Sequence, residues 1–220
     1  MEFEKLVNER RSYKEFKDRE VEMEKLEKIF ELTTEAPTAF NLQAYSFKVL
    51  HSNEAIEAAV ESVVPGNEWV GDADKIVLLV GDERIDTNLE KALEDMLEKN
   101  YLDEETAEGY RERISGYSDR DNLFKTGWLN RNTMIPATFF MLACEDQGLG
   151  TCPVRGFSSE KISESLELKE WERPSLMLPI GYPEEDERPQ KWRRDREEIF
   201  EVIRAKKGGL YLIFNFSLSL

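Results

Sequence analysis

Apolar residues recur along the chain at two spacings, and each spacing predicts a different kind of element. Between Glu22 and Thr33 they fall three or four positions apart, which predicts an amphipathic helix. Residues 45–50 alternate between apolar and polar side chains, which predicts a strand. Residues 74–81 and 175–183 contain nearly unbroken apolar runs. Runs of this kind are typical of strands inside a sheet, so we expect both to be core strands.

The helical spacing also predicts several shorter helices. They are expected at residues 2–9, 53–64, 89–97 and 107–114, and after a capping serine at Ser158 or Ser159. A loop is predicted at residues 65–69, where proline, glycine and asparagine are adjacent. The segment from 82 to 125 is strongly charged.

The run from Met134 to Cys144 has no polar stripe, so a helix here would be apolar on every side. Such a helix is buried, and this one is too short and too interrupted for a bilayer, which needs roughly 20 apolar residues. We therefore expect cover from beyond its own domain, with a partner subunit as the source. Gly148 and Gly150 end the predicted helix. Pro153 and Gly156 then hold a tight loop whose backbone amides can face a ligand.

Composition limits the classes of function. A length of 220 residues with 40% hydrophobic content suits one ordinary domain and argues against disorder. The net charge of -16 argues against nucleic acid or an anionic membrane as a bulk partner. It suits a salt-adapted or a heat-adapted organism, and the sequence leaves both open. The opening residues are acidic and lack the apolar core of a signal peptide, so we expect a cytoplasmic protein.

Metal and thiol chemistry have little support in the sequence. The two cysteines, Cys144 and Cys152, have neither a CxxC nor a zinc spacing, and His51 is the single histidine. We expect two reduced thiols, no metal site and no nucleophilic Cys–His pair. The Gly-x-Gly-x-x-Gly fingerprint is missing from the sequence, so a Rossmann dinucleotide domain is not predicted.

Two basic clusters stand out in this acidic chain, at Arg10–Lys14 and at Lys191–Arg194. Each alone is compatible with a solvated basic turn. Bringing them together would cost about 1 kcal/mol per pair of charges 4 Å apart even in water, and a dianionic phosphate would reverse that cost. Arginine offers phosphate oxygens a planar fork of donors, and Ser12 adds a hydroxyl. A phosphate site is therefore the alternative to two solvated turns.

Three segments resemble the FMN-dependent nitroreductase family and occur in the family's order. They are Arg10–Phe16, Ala36–Phe47 and Gln147–Phe157, and the basic segment Lys191–Arg194 resembles the family's Lys-x-Arg. The resemblance covers about residues 5–204. It implies an α+β fold, with a central, mostly antiparallel sheet flanked by helices. It also implies that the long buried helix lies at an intertwined dimer interface and that a C-terminal strand, residues 196–204, is exchanged with the partner.

The resemblance also implies a domain organisation. Residues 1–204 would form one nitroreductase-like domain, in which residues 82–125 are a helical excursion over the active site. Residues 205–220 fit the family poorly. They alternate between apolar and polar positions, which predicts an extra strand, docked if it is native, and residues added for expression are the alternative.

The cofactor site is assigned by the same resemblance. The residues implied for FMN are Arg10, Arg11, Ser12, Lys14, Thr38, Asn41, Gln43, Asn67, Pro153, Val154, Arg155, Gly156, Lys191, Arg193 and Arg194. A backbone N–H at Gly156 is implied to face flavin N5, and no side chain receives a catalytic role. Two roles stay open for three aromatic residues of the excursion, a wall on the substrate side or packing of the excursion onto the body: Tyr110, Tyr117 and Phe124.

The implied function is that of an FMN-dependent oxidoreductase working as a homodimer. Two electrons would pass in a ping-pong cycle from NAD(P)H to a nitroaromatic or quinone-type acceptor. One alternative is a sister activity on the same scaffold, either reductive dehalogenation or a flavin-consuming reaction. The other is an FMN-binding protein without turnover.

Overall fold

The computed structural model describes residues 2–118, 120–185, 189–205 and 211–214. The chain divides into two compact units, Met1–Glu185 and Asp186–Leu220. The first unit therefore ends before the domain boundary predicted at residue 204. Membership of residues 186–204 in that domain stays a prediction.

In the described part of the first unit the chain forms helices on both sides of one sheet. The helices are α1 Phe3–Glu9, α2 Met23–Thr34, α3 Asn53–Ser62, α4 Leu89–Glu98, α5 Glu104–Ser118, α6 Asn122–Asp146 and α7 Ser159–Ser165. The strands are β1 Tyr45–Leu50, β2 Lys75–Asp82, β3 Gly150–Thr151 and β4 Glu172–Gly181. Two 3-10 turns occur at Ala39–Asn41 and Glu68–Asp72.

The sheet has the strand order β1-β2-β4-β3, and its neighbouring strands are antiparallel. The two strands predicted to be central, β2 and β4, lie inside the sheet, as their continuous apolar runs require. On one face Val77 and Leu79 pack in a buried cluster with Phe140 of α6. On the other face Ile76 and Leu78 belong to a second buried cluster, which also includes residues of α3 and α7. The predicted α+β architecture is confirmed.

Helix α6 begins well before the predicted apolar run, at Asn122. The Asp121 carboxylate caps it by accepting the Phe124 N–H at 2.8 Å. Trp128 and Leu129 are buried, which holds the polar segment 126–132 in the helix. The last residues of the predicted excursion therefore form the first turn of α6.

One side of α6 is open in the single chain. Ile135 and Phe139 are 40% and 37% exposed, and Thr138 between them is exposed as well. The expected burial on every side is therefore not met within one subunit, and cover by a partner stays a prediction. No helix in the described part of the chain is long and apolar enough to cross a membrane.

The predicted end of α6 is confirmed at Gly148, whereas Gly150 lies in strand β3. Gly148 has a φ of 72°, a conformation that glycine adopts at low cost. The Leu149 N–H donates to the Cys144 carbonyl at 2.9 Å, and the Gly148 N–H donates to the Glu145 carbonyl at 3.0 Å. These two bonds form a Schellman motif. The chain then enters the short strand β3 directly, an element that was not predicted from the sequence.

The boundaries of several other elements differ by a few residues from those predicted from the sequence. The sequence predicts a helix at residues 107–114, but α5 runs from Glu104 to Ser118. The Asp103 carboxylate accepts the Thr106 N–H at 2.9 Å and so starts the helix earlier. The loop predicted at 65–69 is interrupted by a 3-10 turn from Glu68. Ser158 is the cap of α7, since its hydroxyl accepts the Lys161 N–H.

The second unit contains a short helix, α8 Arg196–Ile199, and two antiparallel strands, β5 Val202–Ala205 and β6 Tyr211–Phe214. The strand predicted over 196–204 is therefore wrong in its first half. Asp195, with an extended backbone, is the N-cap of this helix, and Arg194 just before it forms a salt bridge of 3.3 Å with Glu198. Exchange of a strand with a partner stays a prediction. The rest of the apolar tail, 206–210 and 215–220, and residues 186–188 of the predicted acidic loop lie outside the described residues.

Candidate functional site

The N-terminal basic segment, Arg10–Lys14, lies against the chain that follows α6. Ser12 forms a parallel bridge with Thr151 of β3. The Tyr13 N–H donates to the Thr151 carbonyl at 3.0 Å. The structure therefore brings the basic segment beside residues 150–157, although the two are far apart in sequence.

A carboxylate lies next to the basic segment. The Tyr13 hydroxyl donates to Oε1 of Glu145 at 3.2 Å. Burial raises the pKa of Glu145, while the Tyr13 hydrogen bond and the positive charge of Arg10 act in the opposite direction. The Arg10 guanidinium donates to the Arg11 carbonyl at 2.9 Å. Glu145 thus ties the basic segment to the last turn of α6.

The loop after β3 combines a buried anchor with free backbone donors. The Val154 N–H donates to the Met177 carbonyl at 2.8 Å, the Met177 N–H returns a bond at 3.0 Å, and the Val154 side chain is buried. The N–H of Val154 is therefore occupied and cannot face a ligand. By contrast, the N–H groups of Arg155 and Gly156 donate to no acceptor within the part of the chain that the structure describes. Pro153, like Arg155, is exposed.

Asn67 meets this loop at Gly156. Its side-chain amide donates to the Gly156 carbonyl at 3.5 Å, and the Val64 N–H donates to the same oxygen at 2.9 Å. The Lys14 ammonium lies 4.9 Å from the centre of the Trp69 ring, close to the same turn. Trp69 Nε1 is buried and has no hydrogen-bond acceptor among the described residues. Three segments that are distant in sequence are therefore joined here: the turn contacts the loop at Gly156, and the basic segment contacts the turn at Trp69.

Thr38, Asn41 and Gln43 lie on a separate loop between α2 and β1. The Gln43 N–H donates to Thr38 Oγ1 at 3.1 Å, and the Gln43 amide donates to Asn41 Oδ1 at 3.0 Å. Phe40, Asn41 and Gln43 have φ values of 53°, 54° and 46°. Left-handed backbone is costly for residues other than glycine and is concentrated at functional sites. A cavity of about 380 Å³ opens beside the loop and is lined by Asn41, Gln43, Asn88, Lys91, Ala92 and Asp95.

Two of the three aromatic residues of the excursion, Tyr110 and Tyr117, pack against Phe40, and Phe124 packs against Tyr117. The ring centres of Phe40 and Tyr110 are 4.8 Å apart in an edge-to-face arrangement. Tyr117 lies 6.4 Å from Phe40 and 5.3 Å from Phe124. Of the two roles left open by the sequence, packing is therefore observed, and a wall on the substrate side stays a prediction.

The second basic cluster belongs to the second unit, where Lys191, Arg193 and Arg194 are all exposed. The Arg193 guanidinium donates to the Lys191 carbonyl at 3.1 Å. Arg194 donates to the Glu198 carbonyl at 2.7 Å. The meeting of this cluster with Arg10–Lys14 stays a prediction.

The two thiols have the expected state. Cys144 and Cys152 are both buried, and neither forms a disulfide. Burial, with the nearby charge of Glu145 acting in the same direction, raises the pKa of the Cys144 thiol well above its usual value. A thiol that stays protonated is a poor nucleophile, so Cys144 is a packing residue.

Several residues that hold these loops are not predicted from the sequence. Asn132 accepts the Ala39 N–H, and the sequence held no distinct signal for it, because it stands among the polar residues Asn130, Arg131 and Thr133. Glu145 had a weak signal, an acid in the last turn of a helix, where the dipole disfavours negative charge. Phe40 and Trp69 had no signal, because an aromatic residue in a loop is usually a packing residue.

Comparison with known proteins decides the family. The family model described as Nitroreductase family matches residues 7–182. The chain belongs to the nitroreductase family. MhqN of Bacillus subtilis, which carries the provisional name of an NAD(P)H nitroreductase, is 29% identical over 205 residues, 92% of this chain and 99% of that protein. The NADH dehydrogenase of Thermus thermophilus is 26% identical over 183 residues, 82% of this chain and 86% of that protein.

Solved structures of the family share the fold. The provisionally named nitroreductase ydfN of Bacillus subtilis has a TM-score of 0.82 at 27% identity, over 91% of this chain and 98% of that one. A provisionally named nitroreductase of Exiguobacterium sibiricum, solved in complex with FMN, has a TM-score of 0.79 at 21% identity. The match covers 91% of this chain and 96% of that one. The nitroreductase-like fold expected from the sequence is confirmed, and the chain is an oxidoreductase of this family.

Proposed function

We propose that this nitroreductase family member uses FMN to transfer two electrons from NAD(P)H to a nitroaromatic or quinone-type acceptor in a ping-pong cycle. The observation that carries the proposal is a set of contacts among three segments: the basic segment Arg10–Lys14 contacts Thr151 and Trp69, and the turn with Asn67 contacts Gly156 in a loop with free N–H groups. Chemistry of this kind belongs to the cofactor, and the protein supplies binding and orientation. The names of the relatives support the choice of NAD(P)H as donor.

The residues present fit a flavin phosphate. Arg10 and Arg11 are half-buried cations in an acidic chain, and arginine matches the geometry of phosphate oxygens. In the proposed site, Ser12 adds a hydroxyl and Lys14 a charge. Lys191, Arg193 and Arg194 are proposed to complete it. The FMN complex of the structural neighbour supports this choice of cofactor.

The loop after β3 fits the proposed isoalloxazine ring. FMN, when bound, accepts a hydride from NAD(P)H and passes two electrons to the acceptor. The free N–H groups of Arg155 and Gly156 would orient the ring by donating to its heteroatoms. Pro153 would limit the movement of the loop, and Asn67 would add an amide at the polar edge. No acid or base is assigned to a side chain of this site.

We propose that the working form is a homodimer. The exposed side of α6 at Ile135 and Phe139 supports the proposal, since a second copy can cover it. In that dimer Thr38, Asn41 and Gln43 would face the cofactor held mainly by the other subunit. Tyr110, Tyr117 and Phe124 would form an aromatic wall that favours flat acceptors. The proposed compartment is the cytoplasm, which supplies NAD(P)H.

The test uses purified protein incubated with FMN and then freed of excess flavin. The expected protein is yellow, loses its flavin absorbance on anaerobic addition of NADH or NADPH, and regains it on addition of a nitroaromatic or a quinone. A protein that stays colourless after incubation with FMN contradicts the proposal. A yellow protein that neither nicotinamide bleaches would instead be a binding protein without turnover.

A further inference from the structure

We propose that Asn132 is a positioning residue that fixes the loop Thr38–Gln43 for flavin binding. The inference rests on the proposed function, because this loop matters only if it contacts FMN. Asn132 lies on α6 and is 7% exposed. It is 93 residues away from the loop in sequence.

Both halves of the Asn132 amide have a defined partner. Its Oδ1 accepts the Ala39 N–H at 2.8 Å, and its Nδ2 donates to the Trp128 carbonyl at 2.9 Å. The second bond runs back along α6 and fixes the orientation of the amide. The oxygen is therefore held towards the loop, and the loop is tied to a rigid helix.

The loop needs such a tie because its backbone is strained. Ala39 immediately precedes Phe40 and Asn41, which have left-handed φ values. Left-handed residues other than glycine persist only where their surroundings fix them. Two further contacts help to hold the loop: Asn88 Nδ2 donates to the Leu42 carbonyl at 2.9 Å, and Leu42 is fully buried.

Loss of the hydrogen bond between Asn132 and Ala39 should change the orientation of the side chains that face the flavin. If the Ala39 N–H is released, the adjacent left-handed residues can relax towards ordinary backbone angles. Relaxation turns the amides of Asn41 and Gln43 away from their present directions. Ligand affinity depends on the precise positions of such amide groups, so a small displacement of them lowers the affinity strongly.

Two variants remove the same hydrogen bond from opposite sides. Asn132→Leu removes the acceptor with little change of volume. Ala39→Pro removes the donor, and the local backbone accepts it, because Thr38 is extended and Ala39 is the first residue of its 3-10 turn. The matched control is Thr133→Val, which removes a buried side-chain bond to the Leu129 carbonyl on the same helix without touching the loop.

The readouts are the Kd for FMN, the visible circular dichroism of the bound flavin, and hydrogen exchange of residues 39–43. Each single variant is expected to weaken FMN binding roughly tenfold, the effect of about one lost hydrogen bond. The double variant is expected to be no weaker than either single one, because both act through one bond. Thr133→Val is expected to lower the Tm about as much as Asn132→Leu does. Its Kd for FMN is expected to stay within about twofold of the wild-type value.

The outcomes separate this inference from the proposed function. Wild-type protein that binds no FMN overturns both. If the wild type binds FMN and the variants Asn132→Leu and Ala39→Pro bind it as tightly as Thr133→Val does, the role of Asn132 alone is overturned. Additive losses in the double variant also overturn it. Slow exchange at residues 39–43 in Asn132→Leu would do the same, since it shows that the loop keeps its structure without the tie.

Discussion

The side-chain amide of Asn67 donates to the carbonyl oxygen of Gly156 at 3.5 Å and so joins two loops that lie 89 residues apart in the sequence. A Cβ added at Gly156 would lie 2.9 Å from Nδ2 of Asn67 and 2.9 Å from Cγ2 of Val64. Real Cβ atoms essentially never come this close to a neighbour. The approach of these loops therefore depends on the missing side chain of Gly156.

Gly156→Ala is expected to destabilise the fold by about 1–3 kcal/mol, because overpacking displaces Asn67 and Val64. It is also expected to weaken FMN binding, since the same displacement moves the free N–H groups of the loop. Urea unfolding and flavin titration measure the two effects. An unchanged Kd in the folded variant would show that the loop does not touch the cofactor.

Gly109→Ala and Gly116→Ala are expected to change stability in the opposite direction. Both glycines lie inside α5, and an added Cβ would meet no atom within 4 Å at either position. Replacing glycine by alanine in a helix interior stabilises by roughly 0.5–1 kcal/mol. Thermal unfolding should show an increase of about 1–4 °C for each variant. A decrease in Tm would mean that α5 packs against a surface outside the single chain.

Arg10→Ala is expected to lower FMN affinity by about ten- to a hundredfold, because hydrogen bonds to charged groups contribute roughly 1.5–3 kcal/mol. Arg193→Ala is expected to have a similar effect. Lys5→Ala is the control, since it removes one positive charge from an exposed pair with Glu9 on α1. Fluorescence titration with FMN measures all three. Unchanged affinity in both arginine variants would remove the phosphate assignment.

Glu145→Gln is expected to flatten the pH dependence of stability. Because the pKa of Glu145 is raised in the folded state, the folded protein binds more protons than the unfolded one just above pH 4.5. Its stability therefore falls as the pH rises through that window. Glutamine can still accept the Tyr13 hydroxyl but does not titrate. Urea unfolding from about pH 4.5 to about pH 7 tests this, and a slope equal to that of the wild type would contradict it.

Phe139→Arg is expected to disrupt the proposed homodimer, because a charge would then lie in the apolar interface on α6. Light scattering should give a mass near twice the 25.7 kDa of one chain for the wild type and near one chain for the variant. Met23→Arg is the control, an exposed apolar residue on α2. A wild type that is monomeric at micromolar concentration would overturn the proposed dimer.

The elements that the sequence predicted well are those whose pattern is local. Strand β1 has the predicted bounds, Tyr45–Leu50, because side chains of a strand alternate between faces. The end of α6 was predictable because Gly148 has a local conformational role. The start of α6 was not, since the segment from Thr126 to Asn132 is polar and its burial depends on tertiary packing.

The residue types of the candidate site could be predicted, but their arrangement could not. No local pattern indicates that Ser12 pairs with Thr151 or that Asn132 holds Ala39, because pairings over such separations are set by the complete fold. The left-handed conformation of Phe40 could not be predicted either, since an aromatic residue rarely adopts it. The hydrogen bond that occupies the Val154 N–H could not be predicted either, because its acceptor, the Met177 carbonyl, lies in β4.

The pairing of Ser12 with Thr151 also protects a sheet edge. Strand β3 covers β4 along only two residues, and beyond it Phe16 forms a bridge with Pro183 and the Lys17 N–H donates to the Tyr182 carbonyl at 2.8 Å. Shortened proteins that begin after this segment would leave the Thr151 carbonyl of β3 and the Tyr182 carbonyl just past β4 without their backbone donors. Such edges recruit strands from other molecules, so truncation should produce insoluble material rather than a soluble protein that has merely lost its cofactor.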